Sequence, residues 1–401
     1  MLSRRAFLAS GAAALGAPLL GAGVLEHRRQ ARVAPTTFDP WIEIDASAIA
    51  HNARAVAQLG GGKPIIAVVK NNAYGLGLDT AGPIIERLPE VQMLAVVRPE
   101  EALALRRAGI QKPILLMGPA SEEELIELVT RDVIQSPQLA TAPEALARVS
   151  ARARRPVRVH LYVDTGMHRM GMPFAEALPW FEALAATGAV RIEGAFTELV
   201  EDADFDAEQA RRMRSLQSDA RAKGVVIGPL HAASSDAVMH GTTAAYLDAL
   251  RPGLALYGGY VSDRAMARGE LRPSFRLKAR VVRVDHLAAG EGVSYHRRWS
   301  TDKPAWTATL AIGHVDGYPT GAVKGCEVLV RGKLCPVIGY VSASHTVILL
   351  GDTQSADVGD EATLVGPDHA ALHPNEVARR AEWSEYNMFM HLSPHLRRVI
   401  R

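Results

Sequence analysis

The chain has 401 residues, 48% of them hydrophobic, and its acids and bases nearly cancel to a formal charge of +2. That length supplies two or three domains and a large core, and the near-neutral balance speaks against a nucleic-acid surface. Two cysteines, Cys326 and Cys335, exclude a disulfide framework, and the histidines and acids lack the paired spacing of a zinc site.

The N-terminus reads as an export segment. Ser3-Arg4-Arg5-Ala6-Phe7-Leu8 precedes an apolar Ala/Gly/Leu-rich stretch and then His27-Arg28-Arg29. A charged start with an apolar middle is a signal, and an arginine pair before Phe-Leu marks the twin-arginine route, which carries folded proteins. Residues 1–33 are therefore expected to direct the protein to the periplasm or outside. An uncleaved membrane anchor is the alternative, because no clean small-x-small cleavage site stands out. No other membrane segment is expected.

After the linker Ala34-Pro35-Thr36-Thr37, residues 41–45 alternate like an edge strand and 47–59 have helical spacing. From Pro64 onward, apolar runs at 65–69, 93–97, 114–117, 133–135, 157–163, 192–196, 225–227 and 254–257 suit buried parallel strands. Amphipathic stretches lie between most of them: 99–108, 122–129, 142–153 and 205–223, the second opened by Ser121 with Glu124 as a capping box. This alternation predicts a (β/α)8 TIM-type barrel over 46–262. No Gly-x-Gly-x-x-Gly follows the first strand, which weighs against a dinucleotide-binding open sheet.

Past Gly259 come β-branched runs at 277–287, 305–312, 326–330, 334–341 and 347–350, separated by Gly, Pro and Asp turns. They predict a mostly antiparallel β domain over 263–401, joined by 36–45. Cys326 and Cys335 flank a hairpin turning near Arg331-Gly332, out of register, and are expected as half-buried thiols. A last helical stretch covers 375–388 and leads into Leu392-Ser393-Pro394.

A barrel carries its chemistry at the C-terminal ends of its strands. The first run ends in Lys70, followed by Asn71-Asn72-Ala73-Tyr74-Gly75. Desolvation at such a mouth disfavours a charged amine, and a neutral amine is what forms an imine. A lysine reaching out to solvent is the plain alternative. The fifth run leads into Asp164-Thr165-Gly166-Met167-His168-Arg169-Met170-Gly171, and the seventh into His231-Ala232-Ala233-Ser234-Ser235. The eighth is bracketed by Arg251-Pro252-Gly253 and Tyr257-Gly258. Glycine and serine there offer close backbone approach, free amides and a hydroxyl to a phosphate.

In this order, residues 41–45, 68–75, 164–171, 251–258, 293–295, 316–319, 328–333 with 336–339, and 359–361 resemble the alanine racemases, fold-type III pyridoxal-phosphate enzymes, over nearly all of 40–400. The resemblance implies a barrel joined to a β domain and a head-to-tail homodimer in which both subunits contribute to each site. It implies that Lys70 holds pyridoxal 5'-phosphate as an imine and is one of two catalytic bases. Tyr295, in Gly292-Val293-Ser294-Tyr295, is the other, reaching in from the partner. Tyr74, Ser235 and the backbone of Gly253 and Leu254 hold the phosphate, with Tyr257 among the cofactor-binding residues. Arg251 meets the pyridine nitrogen, and Arg169 lies near the substrate carboxylate and a cofactor oxygen.

Racemisation needs bases on opposite faces of the α-carbon, each contributing roughly 10²–10⁴-fold. An arginine stays charged and so keeps the ring nitrogen unprotonated, restraining electron withdrawal.

The sequence departs from the family pattern in several places. Tyr162 stands where a lysine, often carbamylated, commonly braces the arginine at 169. Glu198 replaces a histidine near the cofactor ring, and either pairs with Arg251 or contacts a substrate amine. Ser234 stands where asparagine is usual. At the entry, His314 replaces a tyrosine, Ala343-Ser344 replaces Met-Asp, and Pro394 often replaces a tyrosine. The smaller groups at 343 and 394 suggest a wider mouth and amino acids larger than alanine. The expected function is amino-acid racemisation. Decarboxylation, elimination or transamination on the same fold is one alternative, and a non-catalytic binding barrel another, against which the pairing of Lys70 with Tyr295 weighs.

Overall fold

The computed structural model describes residues 37–138, 141–268 and 271–401; the export segment expected over 1–33 lies outside the described residues. The strands Ile65–Val68, Val91–Val96, Ile114–Leu116, Val133–Gln135, Val157–Asp164, Val190–Phe196 and Leu230–His231 pair in sequence order, all parallel. Several are short and wholly buried apolar runs, the pattern of a sheet covered on both faces. The segment 248–252 closes the circle. Leu250 bridges to Ile65 and Ala249 to His231, and the Ile66 and Val68 amides donate to the Leu250 and Pro252 carbonyls at 2.8 and 2.9 Å. The result is a TIM-type barrel.

Two expected strands move. The seventh is Leu230–His231 rather than 225–227. A Cβ on Gly228 would lie 2.1 Å from the Glu193 carbonyl, so the chain approaches the sheet edge there and enters it only after Pro229. The eighth position is taken by 248–252, whose Arg251 and Pro252 disguise it, while Leu254–Tyr257 is a 3-10 turn.

The covering helices include Pro99–Arg107, Glu122–Thr130, Pro143–Ala153 and Ala203–Ala222. Ser121 and Glu124 form the expected capping box, each side chain accepting the other's amide. Phe174–Ala186 is a further helix, with Ala177, Trp180, Phe181 and Leu184 buried at helical spacing around an internal Pro179.

The second sheet is antiparallel and closed. Ala305–Leu310, Thr346–Gly351, Lys333–Ile338, Glu327–Val330 and Glu361–Val365 follow one another in the ladder. The 13-residue strand Phe275–Leu287 pairs with Glu361–Val365 through its first part and with Ala305–Leu310 through its second. Phe275, Leu277, Ala279 and Val281 point alternately into the core.

Trp41–Ile44 is not the expected edge. It is buried between Phe275–Leu287 and Arg397–Ile400, and the latter is the edge, carrying arginines. The stretch 375–388 divides into Pro374–Arg380 and Glu385–Met390, broken at Glu382 (φ 56°) and recapped by Ser384. Cys335 pairs with Val328, so Cys326 is off register as expected; both thiols are free and fully buried rather than half-buried. Among the described residues, no helix is long and apolar enough to cross a membrane.

Candidate active site

Lys70 leaves the first barrel strand and opens a turn of the wrong hand. Asn71, Asn72, Ala73 and Tyr74 have φ of 53°, 57°, 53° and 52°. Left-handed backbone costs an L-residue roughly 1–2 kcal/mol, least for Asn, so four in succession must be held by their surroundings. Glu101, buried on the helix Pro99–Arg107, accepts the amides of Asn72, Val97 and Arg98 at 3.2–3.3 Å. Asn72 Oδ1 accepts the Leu78 amide, and Asn71 Nδ2 approaches Met390 Sδ at 3.2 Å. Gly75 ends the turn against the Phe389 carbonyl, where a Cβ would stand 2.4 Å away. The turn thus fixes where the amine points. Burial pulls the Lys70 amine below the usual lysine range; Glu198 opposes this, and Arg169 and Arg251 reinforce it.

Arg251 is buried on the closing segment. Its Nη1 meets His231 Nδ1 at 3.0 Å and the His231 carbonyl at 3.3 Å, and its Nη2 donates to the Thr197 carbonyl and Glu198 Oε2, both at 2.9 Å. Guanidinium only donates, so His231 Nδ1 accepts and its proton sits on Nε2, 2.9 Å from His160 Nδ1. Burial holds both imidazoles neutral, pushing His231 well down and His160 to about 4. Phe196 stacks between Tyr162 and His231 with centroids at 4.4 and 5.0 Å. Gly194 makes this packing possible, since a Cβ there would come within 2.7 Å of the His160 ring.

Beside this chain lies a cradle. A Cβ on Gly253 would stand 2.0 Å from the Tyr74 hydroxyl. Ser235 Oγ accepts the Gly253 and Ala255 amides at 3.0 and 3.1 Å, which leaves its proton free to donate. Tyr257 packs on the Tyr74 ring at 4.9 Å, and its own hydroxyl donates to the Val68 carbonyl. Tyr257 therefore supports the cradle from behind. Leu254 is wholly buried as the first residue of its 3-10 turn.

Arg169 stands on a loop folded around Asp164, which accepts the Gly166 and His168 amides at 2.9 and 3.0 Å. Its guanidinium acts on the neighbouring Tyr162 phenol and lies 3.8 Å from Glu198 Oε1. Of the two readings of Glu198, the structure shows the pairing with Arg251. Ser234 caps the helix Ser235–His240 through the Asp236 amide.

These side chains gather at one mouth, whereas Tyr295 stands apart. It is 67% exposed beside the antiparallel sheet, after Ser294 at φ 65°, with Tyr340 edge-on at 6.2 Å. His314, Ala343 and Ser344 are also exposed and close together: the His314 and Val315 amides donate to the Ser342 and Ala343 carbonyls. Pro394 lines a groove of about 490 Å³ with Asn71, Asn72, Glu101 and Met390, next to the Lys70 turn.

The alanine racemase N-terminal domain family matches residues 44–261 and the C-terminal domain family residues 274–400. An alanine racemase of Xylella fastidiosa is 34% identical over 350 residues, covering 86% of this chain and 93% of the relative. The alanine racemase 2 of Caldanaerobacter subterraneus is 30% identical, covering 89% and 94%. The solved alanine racemase of a D-cycloserine-producing Streptomyces lavendulae superposes with a TM-score of 0.83 at 30% identity, covering 92% and 98%. The chain belongs to the alanine racemase family.

As a member of that family it is a pyridoxal-phosphate-dependent isomerase, and its own residues fit the cofactor. The Gly253 cradle leaves room that any side chain would fill, under a tyrosine hydroxyl and a serine hydroxyl. All four Nη hydrogens of Arg251 face acceptors, so its Nε–H is the donor left for a ring nitrogen.

Sequence reasoning missed three participants. His160 sits within an apolar strand and carried no signal beyond its polarity. Glu101 looked like one more helix acid. Tyr386, inside the supposed single helix, lies 6.4 Å from the Tyr74 ring, and burial followed by Glu201 and Asp236 pushes its phenol up to about 12. A break signal was available at Trp383-Ser384.

Proposed function

We propose that this family member acts as an exported homodimer on alanine and on larger amino acids, with Lys70 and Tyr295 as its two bases. The observation that carries the reading is the convergence at one mouth of a depressed lysine amine, an arginine with one uncommitted N–H and a glycine cradle beneath Tyr74. Bound pyridoxal phosphate supplies an aldehyde that captures amines and a ring that accepts electron density from the α-carbon.

The residues would do the following. Tyr74, the Ser235 hydroxyl and the Leu254 amide bind the phosphate, and Gly253, its own amide held by Ser235 Oγ, leaves the room for it. Arg251 Nε–H orients the ring nitrogen without giving up its proton. Arg169, braced by Tyr162, takes the substrate carboxylate in a charge-assisted pair. The Lys70 amine, neutral below the usual lysine range, takes or returns a proton on one face of the α-carbon. Tyr295 of a second copy does the same on the other face; its exposure in the single chain supports that assignment.

The relatives are named for alanine. The exposed His314, Ala343 and Ser344 favour a wider entry here, and the arginine pair in Ser3-Arg4-Arg5 favours twin-arginine export of residues 1–33. The same reading divides the chain into a barrel over 46–262 and a β domain over 36–45 and 263–401. The test is circular dichroism with L-alanine, L-serine, L-lysine and L-arginine, followed by chiral chromatography. The mirror amino acid should appear with the total conserved, and with turnover beyond alanine. Loss of total amino acid would overturn racemisation in favour of elimination, decarboxylation or transamination. Turnover of alanine alone would overturn the wider entry.

A further inference from the structure

Three basic side chains, Lys70, Arg169 and Arg251, face one mouth, and the two arginine charges so placed repel each other and disfavour a proton on Lys70. One carboxylate stands among them. Glu198 directs Oε2 to Arg251 Nη2 at 2.9 Å and Oε1 to Arg169 Nη2 at 3.8 Å. The two oxygens serve different partners, so both pairings hold together. The base of this side chain is fixed by a buried frame. Gln209 Nε2 donates to the Glu198 carbonyl and to Thr165 Oγ1, both at 2.9 Å, Thr165 and Thr197 share a hydroxyl bond of 2.6 Å, and Arg251 holds the Thr197 carbonyl. Gln209, Thr165 and Thr197 are fully buried.

We propose that Glu198 is the internal counter-ion of this site, a positioning residue whose single carboxylate ties Arg251 to Arg169 and offsets their charge opposite Lys70. Arg251 is held with its remaining N–H pointing one way, and Arg169 receives a negative brace beside the neutral Tyr162 hydroxyl. The proposal deepens the function proposed above and rests on it only for where the cofactor attaches; the charge arrangement stands by itself.

The ionisable groups around Glu198 are Lys70, Arg169, Arg251 and the phenols of Tyr74, Tyr162 and Tyr386, with Glu201 beyond them. Those acting on Lys70 are Glu198, Arg169, Arg251 and Glu101. Of the two acids, Glu101 is committed to three backbone amides. Removing the Glu198 charge leaves two arginines facing Lys70 with no mobile answer, so the amine should lose its proton at lower pH. The emptied position should also take up a small anion from solution.

The experiment strips any bound cofactor from the full-length protein with hydroxylamine and dialysis, labels it with trace acetic anhydride across pH, and reads Lys70 acetylation by peptide mass spectrometry. In Glu198→Gln the labelling midpoint should fall by about one pH unit or more. In Glu198→Ala it should fall likewise and return toward the wild-type value on adding sodium formate, which should leave the wild type unmoved. Glutamine keeps the shape and one acceptor for Arg251, so a merely structural role predicts an unchanged midpoint in that variant. An unchanged midpoint, or no response of Glu198→Ala to formate, overturns the proposal. Pyridoxal phosphate is then added and its covalent uptake followed by absorbance. If the midpoints shift as expected while wild type takes up none at Lys70, the counter-ion role survives and the functional reading fails.

Discussion

Arg251 has five N–H donors, and the structure commits four of them before any cofactor arrives. Residues of this kind, rigid because their hydrogen bonds are counted out, set what the site can do. Gly253 is another: a methyl group there would collide with the Tyr74 hydroxyl at 2.0 Å. Gly253→Ala should weaken pyridoxal phosphate by about tenfold or more while changing the affinity for unphosphorylated pyridoxal much less, a ratio measurable by fluorescence titration. Equal losses for both would remove the phosphate from this cradle. His160 yields a pH prediction. Its folded pKa is lowered from 6.5 to about 4, so the unfolded chain binds the proton first and stability is lost as pH falls through that window. The loss should approach about 3 kcal/mol for this group, with His231 adding in the same direction. Urea unfolding at a series of pH values should show the slope, and His160→Gln should flatten it. At this scale Lys70 was legible because a charge at the end of an apolar strand is conspicuous. His160 was not, because one imidazole in such a strand looks the same whether it fills the core or backs the histidine that holds an arginine.

The element that matters most is the left-handed turn after Lys70. Two asparagines tolerate that backbone better than other side chains, and Asn71-Asn72 is the sequence's statement of it. Ala73 and Tyr74 adopt it against preference, so the turn depends on Glu101 and on the packing of Phe389 and Leu392 against Gly75. Glu101→Ala leaves three amides without their carboxylate and should cost about 2–3 kcal/mol, read as a lower urea midpoint, together with weaker pyridoxal phosphate uptake as Lys70 loses its aim. Glu101→Gln should lose less. A wild-type midpoint in Glu101→Ala would mean the turn holds itself. Elsewhere, element type followed periodicity closely: the apolar runs from 65 to 163 became parallel strands, and Ser121-x-x-Glu124 capped its helix as expected. Where the reading slipped, a functional or breaking residue had disturbed the pattern. Arg251 and Pro252 hid the eighth barrel position, and Pro179 hid the helix Phe174–Ala186. The change of direction at Glu382 divided what looked like one helix.

At the scale of the whole molecule, the two sheets divide the chemistry unequally. The barrel mouth gathers Lys70, Tyr74, Arg169, Glu198 and Arg251 within one chain, while Tyr295 presents a phenol to solvent beside the antiparallel sheet, near the exposed His314, Ala343 and Ser344. Burial and hydrogen bonding within one chain explain the first group. In the proposed homodimer a neighbouring copy would place its own mouth against the second group, an arrangement that no hydrophobic period in a single sequence could have revealed. The most direct measurement mixes two inactive variants. Lys70→Ala retains Tyr295, Tyr295→Phe retains Lys70, and each alone should racemise L-alanine at least about a hundredfold more slowly than wild type. Unfolded together and refolded as a mixture, they should regain D-alanine production, because each hybrid dimer then holds one complete site. A mixture that stays as inactive as its components, while still forming dimers and binding pyridoxal phosphate, would contradict the two-subunit, two-base site.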